Sequence, residues 1–189
     1  MSQKHNKRFY EEAISKYGIS AQGVHWNSQE SQYKRFEILT QFIKEDIPTS
    51  LIIDVGCGMG EYYNYLMDNN LKPESYLGID CEQQMIDIAQ KRYPRTNFKL
   101  QNVLTDRLLS SDYYICSGAL NILDVEDVYV FIKKCFEKST KGFVFNFLKK
   151  ESYTNITPKQ IITLCEMLTS QIETKDNYLE NDFSIFLKK

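Results

Sequence analysis

The stretch Leu51–Leu66, "LIIDVGCGMGEYYNYL", decides how this chain is to be read. An apolar run ends in an acid, Asp54, and Gly56, Gly58 and Gly60 then alternate with other residues before a helical pattern begins. "SLIIDVG" is β-branched and bounded by turn residues, as a buried strand would be. Glycine tolerates positive φ and lets another group come close to the backbone. The following helix directs unpaired N–H groups and the positive end of its dipole at whatever lies there. Strand, glycine loop and helix in that order predict a ligand site at the carboxyl end of the strand.

Outward from this point, helical and extended patterns alternate. Upstream, "SQESQYKRFEILTQFIKE" predicts a helix capped by Ser28, with Phe36, Leu39 and Ile43 at helical spacing. Downstream, "EYYNYLMDN" reads as a helix, "SYLGIDC" as a strand, and "EQQMIDIAQKRYP" as a helix that must stop before Pro94. "TNFKLQNV" and "DYYICSG" read as strands. "VEDVYVFIKKCFEKS" is a helix with Asp124 as the expected cap and Val125, Val128, Ile132 and Cys135 as its expected apolar stripe. "KGFVFNFL" is a strand, and "TPKQIITLCEMLT" a helix with Thr157 as cap and Pro158 at its first position. "QIETKDNY" and "DFSIFLKK" are separated only by "LEN", which predicts an antiparallel pair. Five β-α units and a terminal hairpin imply an α/β fold: a doubly wound, mostly parallel seven-stranded sheet, helices on both faces.

A length of 189 residues, with 42% hydrophobic and 25% charged residues, suits one soluble globular domain with a full core. No apolar stretch reaches membrane-spanning length, and "MSQKHNKRFYEE" has no apolar signal region, so a cytoplasmic location is expected. A net charge of −2 carries no basic footprint for nucleic acid. Five cysteines without a Cys-x-x-Cys pair, and only two histidines, argue against disulfides and against a metal site.

A second acid gives the glycine loop a ligand class. Asp80 ends the second strand twenty residues past Gly60, where a carboxylate can accept from ribose hydroxyls. The spacing G-x-G-x-G is tighter than a dinucleotide fingerprint, and Asp54 would repel a pyrophosphate while suiting a cationic ligand. S-adenosylmethionine suits both acids, its ammonium and sulfonium facing Asp54 and its ribose hydroxyls Asp80.

These residues resemble the class I S-adenosylmethionine-dependent methyltransferases, in particular small stand-alone bacterial members. The matching pieces are "IIDVGCGMGEY", "YLGIDCEQQMIDIA", "NFKLQNVL", "DYYICSGALNIL" and "KGFVFNFL", in family order and closed by the hairpin. The resemblance implies one methyltransferase domain over 1–189, a helical cap segment at 1–45 and a Rossmann-like core at 46–189. It implies that Gly56, Gly58 and Gly60 line the methionine end of the cofactor, with Asp54 nearby, and that Asp80 takes the ribose. It places Cys81 and Met85 beside the adenine, Asn102 and the Val103 backbone at its edge, and Ser117 to Asn121, including Leu120, beside the methyl. Asn102 stands where many members have aspartate. S-adenosylhomocysteine is the implied product.

Upstream, Gln32 and Arg35 share a helical face, and Arg35 could grip the cofactor carboxylate with both prongs of its guanidinium or lie solvated at the surface. Trp26, the single tryptophan, could close over the site or pack at the sheet edge. Displacement on an activated methyl needs alignment and exclusion of water more than acid-base help, so no catalytic residue is assigned. His25, Asn121 and Asn146 are weak candidates, and Tyr62, Tyr63 and Tyr153 weaker ones. "SGALNI" lacks the Pro-Pro-Tyr type sequence of amino-methylating nucleic-acid enzymes. The expected acceptor is therefore a small molecule, methylated at O or N by in-line displacement, the chain acting as monomer or homodimer. An RNA- or protein-directed methyltransferase and a non-catalytic cofactor-binding module are the alternatives.

Overall fold

A computed structural model describes residues 28–150 and 156–189. The elements run α1 (Gln29–Gln41), a 3-10 turn at Ile47–Thr49, β1 (Leu51–Val55), α2 (Glu61–Asp68), β2 (Ser75–Asp80), α3 (Gln83–Arg92) and β3 (Asn97–Leu100). They continue β4 (Ser111–Cys116), a 3-10 turn at Ala119–Ile122, α4 (Val125–Lys138), β5 (Ser139–Leu148), α5 (Pro158–Glu166), β6 (Ile172–Asp176) and β7 (Asp182–Lys188). One seven-stranded sheet has the order β3-β2-β1-β4-β5-β7-β6. Only β7 runs antiparallel to its neighbours β5 and β6. Strand order reverses between β1 and β4, so the crevice that binds ligands in such sheets opens above these two strands.

Burial follows the sequence patterns. The apolar runs of β1, β4 and β5 lie in the middle of the sheet, while β3 and β6, with more polar residues outward, are the edges. On one face Phe36, Leu39 and Ile43 pack with Tyr62, Leu66 and Ile86 from α2 and α3. On the other, Val128, Ile132 and Cys135 of α4 and Ile161 and Cys165 of α5 cover Phe143, Phe145 and Phe147 of β5. The caps at Ser28 and Thr157 form as expected: Ser28 accepts from Ser31 N–H at 3.1 Å, and Thr157 makes a capping box with Gln160.

Two expectations need correction. Val125 is 51% exposed and does not belong to the stripe of α4, which is completed by Phe131 and Phe136. A side chain at the first helical position leans back past the end of the packed face. Second, β3 and β4 are joined without a helix, so four β-α units exist rather than five. One helix-type bond, Asp106 N–H to the Asn102 carbonyl, is accompanied by local side-chain bonds: Asn102 Oδ1 accepts from Leu104 N–H, Asp106 Oδ2 from Asn102 N–H, and Gln101 donates to the Arg107 carbonyl. Asn and Asp compete with helical bonding in this way.

The two rings Phe143 and Phe145 stack at 4.8 Å and are fully buried. Phe145→Ala should therefore cost about 3–5 kcal/mol of unfolding free energy in a urea titration. A loss below about 1 kcal/mol would show that this layer is not the core.

Candidate cofactor and active site

Asp54 and Tyr76 define the floor of the crevice. Asp54 pairs in register with Gly78, so Tyr76, two residues earlier on β2, lies diagonally on the same face. Its hydroxyl donates to Asp54 Oδ2 at 2.6 Å, and Asp54 is 2% exposed. No lysine, arginine or histidine among the described residues pairs with Asp54. Burial, partly offset by the Tyr76 hydrogen bond and reinforced by Asp80, pushes its carboxyl up to about 7. The groups it acts on in turn, Tyr62, Tyr76, Cys57 and Cys116, are all acids.

Asp80 closes the neighbouring side. Its Oδ2 accepts from Gly58 N–H and its Oδ1 from Glu82 N–H, both at 2.9 Å. Burial raises its pKa, and these backbone donors oppose the rise. A carboxylate has about four acceptor positions, so two backbone bonds leave room for ribose hydroxyls. The glycine loop is thus tied to the second-strand acid before any ligand arrives.

The glycines are required partly by the chain itself. Gly56 has φ 71° and Gly60 φ 83°, and a Cβ on Gly56 would stand 2.5 Å from that of Ala119. On Gly60 it would meet the rings of Phe98 and Tyr93 at 3.0 Å. Close approach at these two positions therefore comes from the loop after β4 and from the aromatic pair beyond α2. Gly58 also has positive φ, 52°, and spends its N–H on Asp80.

The loop after β4 forms the opposite wall. Gly118 is left-handed at φ 89°, and its N–H donates to Asn146 Oδ1 at 2.9 Å. Asn121 Oδ1 accepts from Leu148 N–H at 2.9 Å, so both asparagines hold backbone at the strand ends. Leu120 is fully buried. The Ser117 hydroxyl is buried and finds no hydrogen-bond partner among the described residues.

The remaining predicted residues divide clearly. Val103 is 5% and Met85 2% exposed, so both side chains are buried. Cys81 is exposed, its thiol raised to about 12 chiefly by desolvation. Asn102 is half-buried, with its carbonyl oxygen engaged by Leu104. Arg35 is not solvated: its Nε and Nη2 donate to Asp182 at 2.5 and 2.8 Å. Tyr62 shares its hydroxyl with Thr40, and Tyr63 packs against Tyr76 and Tyr93. His25, Trp26 and Tyr153 lie outside the described residues. Tyr76, Ala119 and Asp182 were not singled out in the sequence, although the period-two spacing of Tyr76, Gly78 and Asp80 puts all three on the face of Asp54.

Comparison with known proteins gives a domain description and a fold. Residues 52–142 match the family model described as a methyltransferase domain. The chain resembles magnesium protoporphyrin IX methyltransferase from Synechocystis PCC 6803, solved with S-adenosylhomocysteine, at TM-score 0.73, 12% identity and 98% coverage of both chains. An S-adenosylmethionine-dependent methyltransferase from Clostridium acetobutylicum ATCC 824 aligns at TM-score 0.68, 12% identity and 98% coverage of both. In sequence, 57 residues are 35% identical to "Putative methyltransferase 235L" of Invertebrate iridescent virus 6, spanning 30% of this chain and 21% of that protein. Residues 52–142 thus carry a methyltransferase domain, on a fold shared with S-adenosylmethionine-dependent methyltransferases.

The buried acid of the methyltransferase domain predicts a pH signature. Between the ordinary value near 3.8 and about 7, native Asp54 keeps a proton that the unfolded chain has released. Stability then falls as pH rises through that window and levels off above it. A shift of about three units corresponds to roughly 4 kcal/mol at most, or several degrees of melting temperature. Asp54→Asn should gain on the parent protein in thermal melts as pH rises from 4.5 to 8. A constant difference across that range would contradict the assignment.

Proposed function

We propose that the chain transfers a methyl group from S-adenosylmethionine to a small-molecule acceptor, at oxygen or nitrogen, by in-line displacement. The observation that carries this reading is the uncompensated acid at the crevice floor. Asp54 is buried without a cationic partner among the described residues, and burying a charge is costly unless it is paired. A ligand bearing an ammonium and a sulfonium completes the site; a pyrophosphate would not. The Ser117 hydroxyl, buried with no partner among the described residues, is a second group that a ligand could satisfy.

Each residue then has a role that its environment permits. Asp80 would accept from the ribose hydroxyls with the positions its two backbone bonds leave open. Asp54 would supply negative charge to the methionine end across the glycine loop. Asn102 and the Val103 backbone would meet the adenine edge, with Cys81 and Met85 beside the ring. Ser117 and Leu120 would line the methyl side, with Leu120 excluding water. The cofactor supplies a methyl carbon already activated by positive sulfur, and the chain supplies alignment. No general base is assigned.

A small acceptor is favoured by the net charge of −2 and by the absence of Pro-Pro-Tyr after β4. The likeness in fold to a protein named for a porphyrin substrate accords with it. Salt-sensitive binding to a structured RNA would overturn this acceptor class.

The cofactor reading is tested by ligand-induced stabilisation. At roughly 100 times its dissociation constant, S-adenosylhomocysteine should add about 2.7 kcal/mol, raising the melting temperature by about 5–10 °C. NAD should produce little shift. Asp80→Ala, provided it melts cooperatively alone, should nearly abolish the effect. A normal shift in that variant, or a larger one with NAD in the parent, would refute the assignment.

A further inference from the structure

A buried polar chain lies at the carboxyl ends of β4 and β5. Arg35 of α1 pairs with Asp182 at the start of β7, their side chains 7% and 2% exposed. Asp182 Oδ1 also accepts from Asn146 Nδ2 at 3.1 Å, and Asn146, fully buried, accepts from Gly118 N–H. Four elements distant in sequence are thereby joined: α1, β7, β5 and the loop after β4.

The order of donors makes this chain directional. An amide side chain can be turned either way, and its neighbours decide which end faces where. With Asp182 ionised, Asn146 must present its NH2 to the carboxylate. Its oxygen is then forced towards Gly118 N–H. The reverse orientation would set oxygen against carboxylate and NH2 against N–H. Gly118 sits in the left-handed region between Ser117, with its orphaned hydroxyl, and Ala119, which meets Gly56. A buried ion pair adds little stability over apolar residues of similar volume, so stability alone does not account for this one.

We propose that Asp182, held by Arg35, is a positioning residue that fixes the amide of Asn146 and through it the backbone of Gly118, so that helix α1 and the wall beside the methyl form one unit. This rests on the reading of residues 117–121 as that wall. Asp182 touches neither cofactor nor acceptor; its effect passes through Asn146.

The test separates positioning from stability. Arg35→Met/Asp182→Leu removes both charges together, which leaves no buried charge unpaired. By nuclear magnetic resonance, the Gly118 amide should then exchange with solvent at least about tenfold faster, while that of Tyr114 in β4 changes less than about threefold. Gly118 moving only in step with Tyr114 would overturn the proposal. A second measurement uses the unaltered protein and so survives misfolding of the variant. There the Arg35 Nε proton and the Gly118 amide should show equal protection, within about threefold, and less than Tyr114. A tenfold difference between the two, or exchange of both only together with Tyr114, would equally overturn it. Neither measurement contains a ligand, so failure of the cofactor reading would show separately, in the S-adenosylhomocysteine melts.

Discussion

A buried carboxyl group that no cation among the described residues meets governs this site. Asp54 is buried at the end of a central strand, accepts from the Tyr76 hydroxyl, and feels the second acid Asp80, with no cationic partner among the described residues. Desolvation of a charge is among the largest penalties a fold can carry. Here it is tolerated by raising the pKa, so that near neutrality the group is poised between protonated and ionised. The proposed cofactor is the cation whose arrival would tip that balance.

The rest of the fold supports this arrangement. The parallel strands bring Asp54 and Asp80 to one edge, and Tyr76 reaches diagonally across two of them. Ala119 touches the first glycine of the loop, and Asp80 holds the second through its N–H. Phe98 and Tyr93 crowd the third. The loop is therefore shaped by its own chain, and a ligand would meet a preformed surface instead of having to order one. Preorganisation of that kind reduces the conformational cost of binding.

The fold was legible because its determinants are local and periodic. Strand and helix patterns, the caps at Ser28 and Thr157 and the hairpin whose strands flank "LEN" all reappear in the structure. The count of five β-α units was one too many, because β3 and β4, read as consecutive strands, are joined by a link that side-chain bonds of Asn102 and Asp106 shape without a helix. Asp54 and Asp80 were visible from their spacing to the glycines. Asp182 was not, because its partners, Arg35 and Asn146, lie 147 and 36 residues away. Likewise, whether Arg35 meets solvent or a carboxylate depends on tertiary contact.

Titration calorimetry of S-adenosylmethionine binding in buffers of different ionisation enthalpy tests the central claim most directly. At pH 6.5, with Asp54 titrating near 7 in the free protein, most copies carry the proton. Binding of the cationic cofactor should release well over half a proton per site to the buffer. Asp54→Asn should bind without that release. Binding whose heat is independent of the buffer in the parent protein, or an unchanged proton release in the variant, would contradict the account.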